Sequence, residues 1–198
     1  VQSLADLRQI REEGWQSLFP LRTKVVVGMA TCGRASGAER VLQTIQEEIK
    51  RRQLDLFVTS TGCLGLCQKE PLVDVIRPGW PRIVYAEMNE EKTREIIAAL
   101  ANNRVVPQYA LCKITEELNL VEDSVRQYPL DGMPEGIDRI PRCEEVSFFG
   151  KQEKRVLRNC GLINPDKIEE YVAQGGYLAL FTALTKLNPE KTIDLVTK

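Results

Sequence analysis

TKVVVGMATCGRASGAERVLQTIQEEIKRR, residues 23 to 52, changes its period halfway. The first eight residues are a β-branched run of strand type and length. TCG follows. Ser36 and Glu39 then match a capping-box pattern. Behind them Ala38, Val41, Leu42, Ile45 and Ile49 recur at helical spacing. Lys50, Arg51 and Arg52 close the helix with the charge that suits a C-terminus. A strand feeding a helix predicts a second strand, and LDLFVTS at 54 to 60 supplies it. PLVDVI and RIVYAE read as two more strands, separated by the turn residues Pro78, Gly79 and Pro81. Asn89 caps a last helix through EEKTREIIAALANN. The order is β-α-β-β-β-α, an α/β fold of thioredoxin-like type with helices covering a mixed sheet.

Outside this block the pattern is weaker. SLADLRQIREEGWQSL predicts an amphipathic helix capped by Ser3, with Leu4, Leu7 and Ile10 on one face, interrupted by Gly14 and then Pro20. Residues 105 to 147 are rich in proline and glycine and read as a linker, in which only CKITEELNLVEDSV suggests a short helix. From 148 onward the reading is a small, mainly helical segment. KRVLRNCG suggests a strand ending in a turn. Asn164-Pro165-Asp166 predicts a helix start, Gly175-Gly176 a break, YLALFTALTKL a second helix and Asn188-Pro189-Glu190 a third. The expected organisation is an N-terminal helix (1–20), a thioredoxin-like domain (21–104), a linker (105–147) and the start of a further domain (148–198).

Composition narrows the function. The chain has 198 residues, 43% hydrophobic and 28% charged, with a formal net charge of −1. Both signs are interspersed, which argues against nucleic acid or an anionic membrane as a partner. No apolar run is long enough to span a bilayer, and no secretory signal is visible at the N-terminus. The expected location is the cytoplasm. There are six cysteines and no histidine. In a cytosolic protein such cysteines favour metal or redox roles over a disulfide framework. The absence of histidine removes His-ligated zinc and Cys–His nucleophilic pairs.

TSTGCLGLCQKEP, residues 59 to 71, places Cys63 and Cys67 on a glycine-bearing loop. Iron–sulfur clusters need thiolates brought together from separate loops, normally four. Cys32 follows the first strand. A right-handed β-α-β crossover sends both strand ends to one side, so Cys32, Cys63 and Cys67 are expected to converge. The alternative is that all three fill turns as small apolar residues. Cys112 and Cys143 show no spacing that brings them to the same point, and Cys160 reads as a turn residue. Trp15 and Trp80 read as packing anchors. The glutamate doublets beginning at 12, 47, 90, 116, 144 and 169 read as solvated faces. Pro71 precedes a strand where a thioredoxin fold often carries a cis-proline.

TCGRASGAERV followed by TGCLGLCQKEPLVDV is similar to the thioredoxin-like [2Fe–2S] ferredoxin family. LRNCG, INPDKIEEYVAQGGY and NPEK, in that order, resemble the lead-in to the flavin- and NADH-binding domain of the large diaphorase subunit. That subunit occurs in complex I-like enzymes and in NAD(P)-linked, electron-bifurcating hydrogenases. The fusion of the two parts is typical of the hydrogenase and formate dehydrogenase versions. The resemblance implies a [2Fe–2S] cluster on Cys32, Cys63 and Cys67. The family's first motif is Cys-x4-Cys, whose first cysteine would fall at Val27. It also implies other subunits of a multi-subunit oxidoreductase as partners. FMN and further iron–sulfur clusters are expected only in a remainder beyond Lys198, because no glycine-rich phosphate loop lies within the sequence. The parent would be an NAD(P)H-dependent oxidoreductase, and this piece an electron-transfer module that is not catalytic alone. Two other functions stay open. One is a cluster-free thioredoxin-like docking module for subunit assembly. The other is a thiol–disulfide oxidoreductase, disfavoured because TCGRAS has one cysteine where such enzymes use Cys-x2-Cys.

Overall fold

A computed structural model describes residues 3–119, 124–128 and 132–198. β1 (Lys24–Gly28) and β2 (Phe57–Thr61) run parallel and in register, Gly28 opposite Thr61. The crossover between them carries α2 (Thr31–Ala35) and α3 (Ala38–Arg52). β3 (Val73–Ile76) pairs antiparallel with β1, and β4 (Arg82–Tyr85) with β3. α4 (Glu90–Ala101) returns across the sheet, its cap formed by Asn89, whose side chain accepts the Lys92 N–H at 2.9 Å. This is the β-α-β-β-β-α thioredoxin-like order expected from the sequence.

A fifth strand, β5 (Ala110–Ile114), extends the sheet beside β4, giving the order β2-β1-β3-β4-β5. It comes from the stretch read as a linker. The residues suggested as a short helix there form β5 and a hairpin of β6 (Glu116–Asn119) and β7 (Ser124–Gln127), with 120–123 outside the described residues. Downstream, Ile137 and Ile140 are buried in the main core.

Strand alternation divides the sheet's surroundings. Val25, Val27, Val73, Val75, Ile83 and Tyr85 pack beneath α3 and α4 with Ala38, Val41, Ile45, Ile96, Ile97 and Leu100. Full burial of each large apolar side chain contributes about 1.5–3 kcal/mol, so this face dominates the stability. The other face presents Val26, Lys24, Asp74, Arg82 and Val84, all buried. It is covered by α1 (Leu4–Leu18), the β6–β7 hairpin and the chain after residue 142.

Four local expectations are corrected. Gly14 does not interrupt α1. It lies where a Cβ would come 1.9 Å from the Glu169 carbonyl oxygen, so it permits close crossing of α1 on α5 (Ile168–Ala173). Ser3 does cap α1, accepting the Asp6 N–H at 3.2 Å; the side chain of Leu4 lies outside the described residues. Ser36 does not open α3: it is the C-cap of α2, and Gly37, at φ +100°, starts α3 instead. KRVLRNCG forms turns and no strand among the described residues, with Val156 and Leu157 exposed. Pro165 does not open a helix. The Asn164 side chain instead accepts the Asp166 N–H at 3.0 Å, and α5 begins at Ile168. α6 (Leu178–Lys186) and α7 (Pro189–Thr197) follow as expected, Asn188 capping α7, with Leu180, Leu184, Leu195 and Val196 exposed. No helix among the described residues is long and apolar enough to cross a membrane.

Candidate metal centre

β1 and β2 end side by side because they are parallel and in register. The Met29 N–H donates to the Thr61 carbonyl at 2.9 Å and locks the two exits together. Beyond β1 the chain turns into α2, which carries Cys32. Beyond β2 it enters the loop of Cys63 and Cys67. The three sulfurs lie within 4.8 Å of one another, and those of Cys63 and Cys67 are 3.5 Å apart. Gly65, at φ +92°, bends the loop back so that its N–H donates to Cys63 Sγ at 3.2 Å. The expected convergence is present. Burial pushes the Cys32 and Cys63 thiols above their ordinary range, opposed at Cys63 by the Gly65 N–H. Such a group binds a metal ion by releasing protons.

The loop is held from the far side of the chain. Lys154 Nζ donates to the Leu64 carbonyl at 3.1 Å. Gly161 packs so tightly on Leu64 that an added Cβ would meet its Cδ2 at 2.0 Å. The Gly161 carbonyl accepts from Arg82 Nη2 at 2.5 Å, and Arg82 also pairs with Asp74 and Glu117. Burial works against the Arg82 charge, but the two carboxylates outweigh it and hold its pKa well above the ordinary value. The Thr61 hydroxyl donates to the Ile163 carbonyl at 2.8 Å, and the Asn164 amide donates to the Thr59 hydroxyl at 3.0 Å. These contacts join the chain after residue 148 to the sheet that ends in the cysteine loop.

Val27 does not stand beside the sulfurs. It is fully buried in the apolar cluster beneath α3 and α4. Successive strand residues face opposite ways, so it is Gly28 whose missing side chain faces the cysteine side. The space there is taken by Glu70: a Cβ on Gly28 would lie 3.1 Å from Glu70 Oε2. Glu70 Oε2 accepts the Leu72 N–H at 2.8 Å, and Oε1 lies 3.9 Å from Cys32 Sγ. Burial pushes the Glu70 carboxyl above its usual range. The sequence offered one signal for it, a carboxylate three positions after Cys67 and next to Pro71; the Glu70–Pro71 peptide is cis.

The remaining cysteines lie elsewhere. Cys112 is buried on β5, and Cys143 folds back against it. The hydrogen bond between the two thiols pushes Cys112 up and holds Cys143 below its ordinary value. Cys160 lines, with them, a cavity of about 350 Å³ that also borders Arg82 and Leu64. Trp80 is a core residue, and Trp15 packs on Phe19 at 5.5 Å between ring centroids. Three of the glutamate doublets are not merely solvated. Glu48, buried, takes Arg51 and Arg52; Glu117 takes Arg82 and accepts the Tyr128 hydroxyl at 2.5 Å; Glu170 is wholly buried.

No protein-family model matches the chain. It is 26% identical over 100 residues to the NADP-reducing hydrogenase subunit HndB of Solidesulfovibrio fructosivorans, a match covering 49% of this chain and 79% of HndB. It is 44% identical over 46 residues to the NADP-reducing hydrogenase subunit HndC of the same organism, covering 23% of this chain and 9% of HndC. Two solved structures of a thioredoxin-like [2Fe–2S] ferredoxin from Aquifex aeolicus are also similar. Their identities are 22% and 24% and their TM-scores 0.41; each match covers 46% of this chain and 92% or 98% of the other.

Proposed function

We propose that this chain is an electron-transfer module holding a [2Fe–2S] cluster on Cys32, Cys63 and Cys67. The observation that carries the reading is the meeting of three thiols from two strand ends within 4.8 Å. The donor set fits: soft thiolates are what iron–sulfur clusters take, and no histidine competes. The bound cluster would supply one-electron chemistry. The chain's own part is to fix the sulfurs, to donate the Gly65 N–H to one of them, and to brace the loop through Lys154 and Gly161. Hydrogen bonds to sulfur of this kind tune the potential of a cluster.

The similarity to subunits of an NADP-reducing hydrogenase supports a place beside other subunits of an NAD(P)-linked oxidoreductase. In that setting the module would pass electrons between a flavin-bearing partner and other centres, with no bond-making step of its own. A second reading, a cluster-free docking module, draws on the position of Val27, which offers no fourth thiolate.

Anaerobic reconstitution with iron and sulfide tests this. Two iron and two sulfide per chain are expected, with charge-transfer absorbance and an S = 1/2 EPR signal after one-electron reduction. Cys63→Ser should abolish the signal and Cys160→Ser leave it unchanged. Colourless, iron-free wild-type protein would hand the function to the docking reading.

A further inference from the structure

We propose that Glu70 supplies the fourth ligand of this centre, so that the cluster is held by three thiolates and one carboxylate. The inference rests on the cluster reading above and concerns a residue that reading leaves out.

The four donor atoms stand close together. Cys63 and Cys67 lie 3.5 Å apart. Cys32 Sγ, within 4.8 Å of both, lies 3.9 Å from Glu70 Oε1. A tetrahedral metal site, with bonds of about 2.3 Å to sulfur and about 2.0 Å to oxygen, separates two sulfurs by about 3.8 Å and a sulfur from an oxygen by about 3.5 Å. Both observed spacings are near these values. Glu70 can therefore share an iron with Cys32.

The carboxyl is built into its place. Glu70 is 8% exposed, which is rare for a glutamate, and among the described residues its carboxyl meets no cation: it accepts from the Leu72 N–H and the Cys32 thiol. The Leu72 N–H fixes Oε2 and leaves Oε1 directed at Cys32. Gly28 gives the carboxyl its room, and Gly33 helps: a Cβ there would meet Glu70 Oε2 at 3.3 Å and the Gly28 carbonyl oxygen at 2.2 Å. A buried carboxylate with no cation is costly, and a ferric ion beside it removes that cost. The cysteine expected at position 27 would have pointed into the core; the donor comes instead from the loop after β2.

Mössbauer spectra of the ⁵⁷Fe-reconstituted chain provide the test, alongside iron and sulfide content. Wild type should show two inequivalent ferric sites, one with a tetrathiolate-like isomer shift and one shifted by oxygen ligation. Glu70→Cys should make the two sites alike. Glu70→Gln should alter only the shifted site and speed iron loss to a chelator on the order of 10-fold or more. Equivalent sites in wild type overturn the inference whether or not a variant folds. So do spectra of Glu70→Gln and Glu70→Cys that match wild type at full iron content, while leaving the cluster itself standing. Wild type that takes up no iron sinks both this inference and the cluster reading.

Discussion

Glu170 Oε1 lies 3.8 Å from Lys24 Nζ, and both side chains are fully buried between α5 and β1. Lys24 Nζ also donates to the Ser17 carbonyl at 2.9 Å, and the Ser17 hydroxyl donates to Glu170 at 2.6 Å. The pair thus ties α1, the sheet and the chain after residue 148 into one network. Removing one partner strands the other charge away from water. Glu170→Ala should cost about 3 kcal/mol or more by urea denaturation. Lys24→Met combined with Glu170→Met should recover most of that, because it removes both charges and keeps the volume. A double variant as unstable as the single one would show that the network acts through its geometry rather than its charge.

The same pair gives stability a pH dependence. Burial lowers the Lys24 pKa from 10.5 to about 8, only partly offset by Glu170; Arg82 and Lys167 lower it further. At high pH Lys24 is neutral in both states and carries no penalty. As pH falls from 10.5 to 8 the unfolded chain takes up a proton that the folded chain does not, so stability is lost over that window. Below 8 the penalty is complete. Relative to the Lys24→Met/Glu170→Met variant, wild type should therefore gain about 3 kcal/mol between pH 8 and 10.5. A flat difference across this range would place Lys24 in contact with water.

The central sheet was legible because its strands are short β-branched runs separated by glycine and proline, and because residues 38 to 52 keep a helical period throughout. β5 to β7 were not. CKITEELNLVEDSV has the glutamates of a helix, but Cys112–Ile114 pair with β4 and Glu116–Asn119 pair with β7. Ser36 matched a capping box, but the chain inserts α2 and uses the positive φ of Gly37 instead. The buried acids were hidden by their doublets. Adjacent residues point about 100° apart on a helix, as at Glu48 and Glu170, and to opposite faces on a strand, as at Glu117, so one of each pair can face inward while its neighbour stays in water. At the metal centre the cysteines announced themselves by spacing. Glu70 did not, because its role depends on the vacancy that Gly28 leaves across the strand.

Gly14 offers a test of how closely α1 and α5 cross. An alanine there gains about 1 kcal/mol of helix propensity in isolation. In the folded chain its Cβ would meet the Glu169 carbonyl oxygen at 1.9 Å and the Ala173 Cβ at 2.8 Å. The first contact is with backbone, which cannot rotate away, so the helices must separate. Gly14→Ala should lower stability by about 1–3 kcal/mol despite its better propensity. A rise in the denaturation midpoint would mean that α1 stands further from α5.

Val27→Cys separates two accounts of the centre. If the family's cysteine at this position were the missing ligand, restoring it would strengthen iron binding. The strand says otherwise. Val25 and Val27 share the face packed under α3 and α4, whereas the position facing the Glu70 carboxyl is Gly28. A thiol at 27 would sit among Ala38, Val41 and Ile45, turned away from Cys32. The substitution trims a buried side chain and should cost about 1 kcal/mol, in the range of other small core truncations. Iron content, EPR spectrum and rate of loss to a chelator should all match wild type. A more chelator-resistant cluster in Val27→Cys would show that β1 presents residue 27 to the sulfurs, and would remove the need for Glu70.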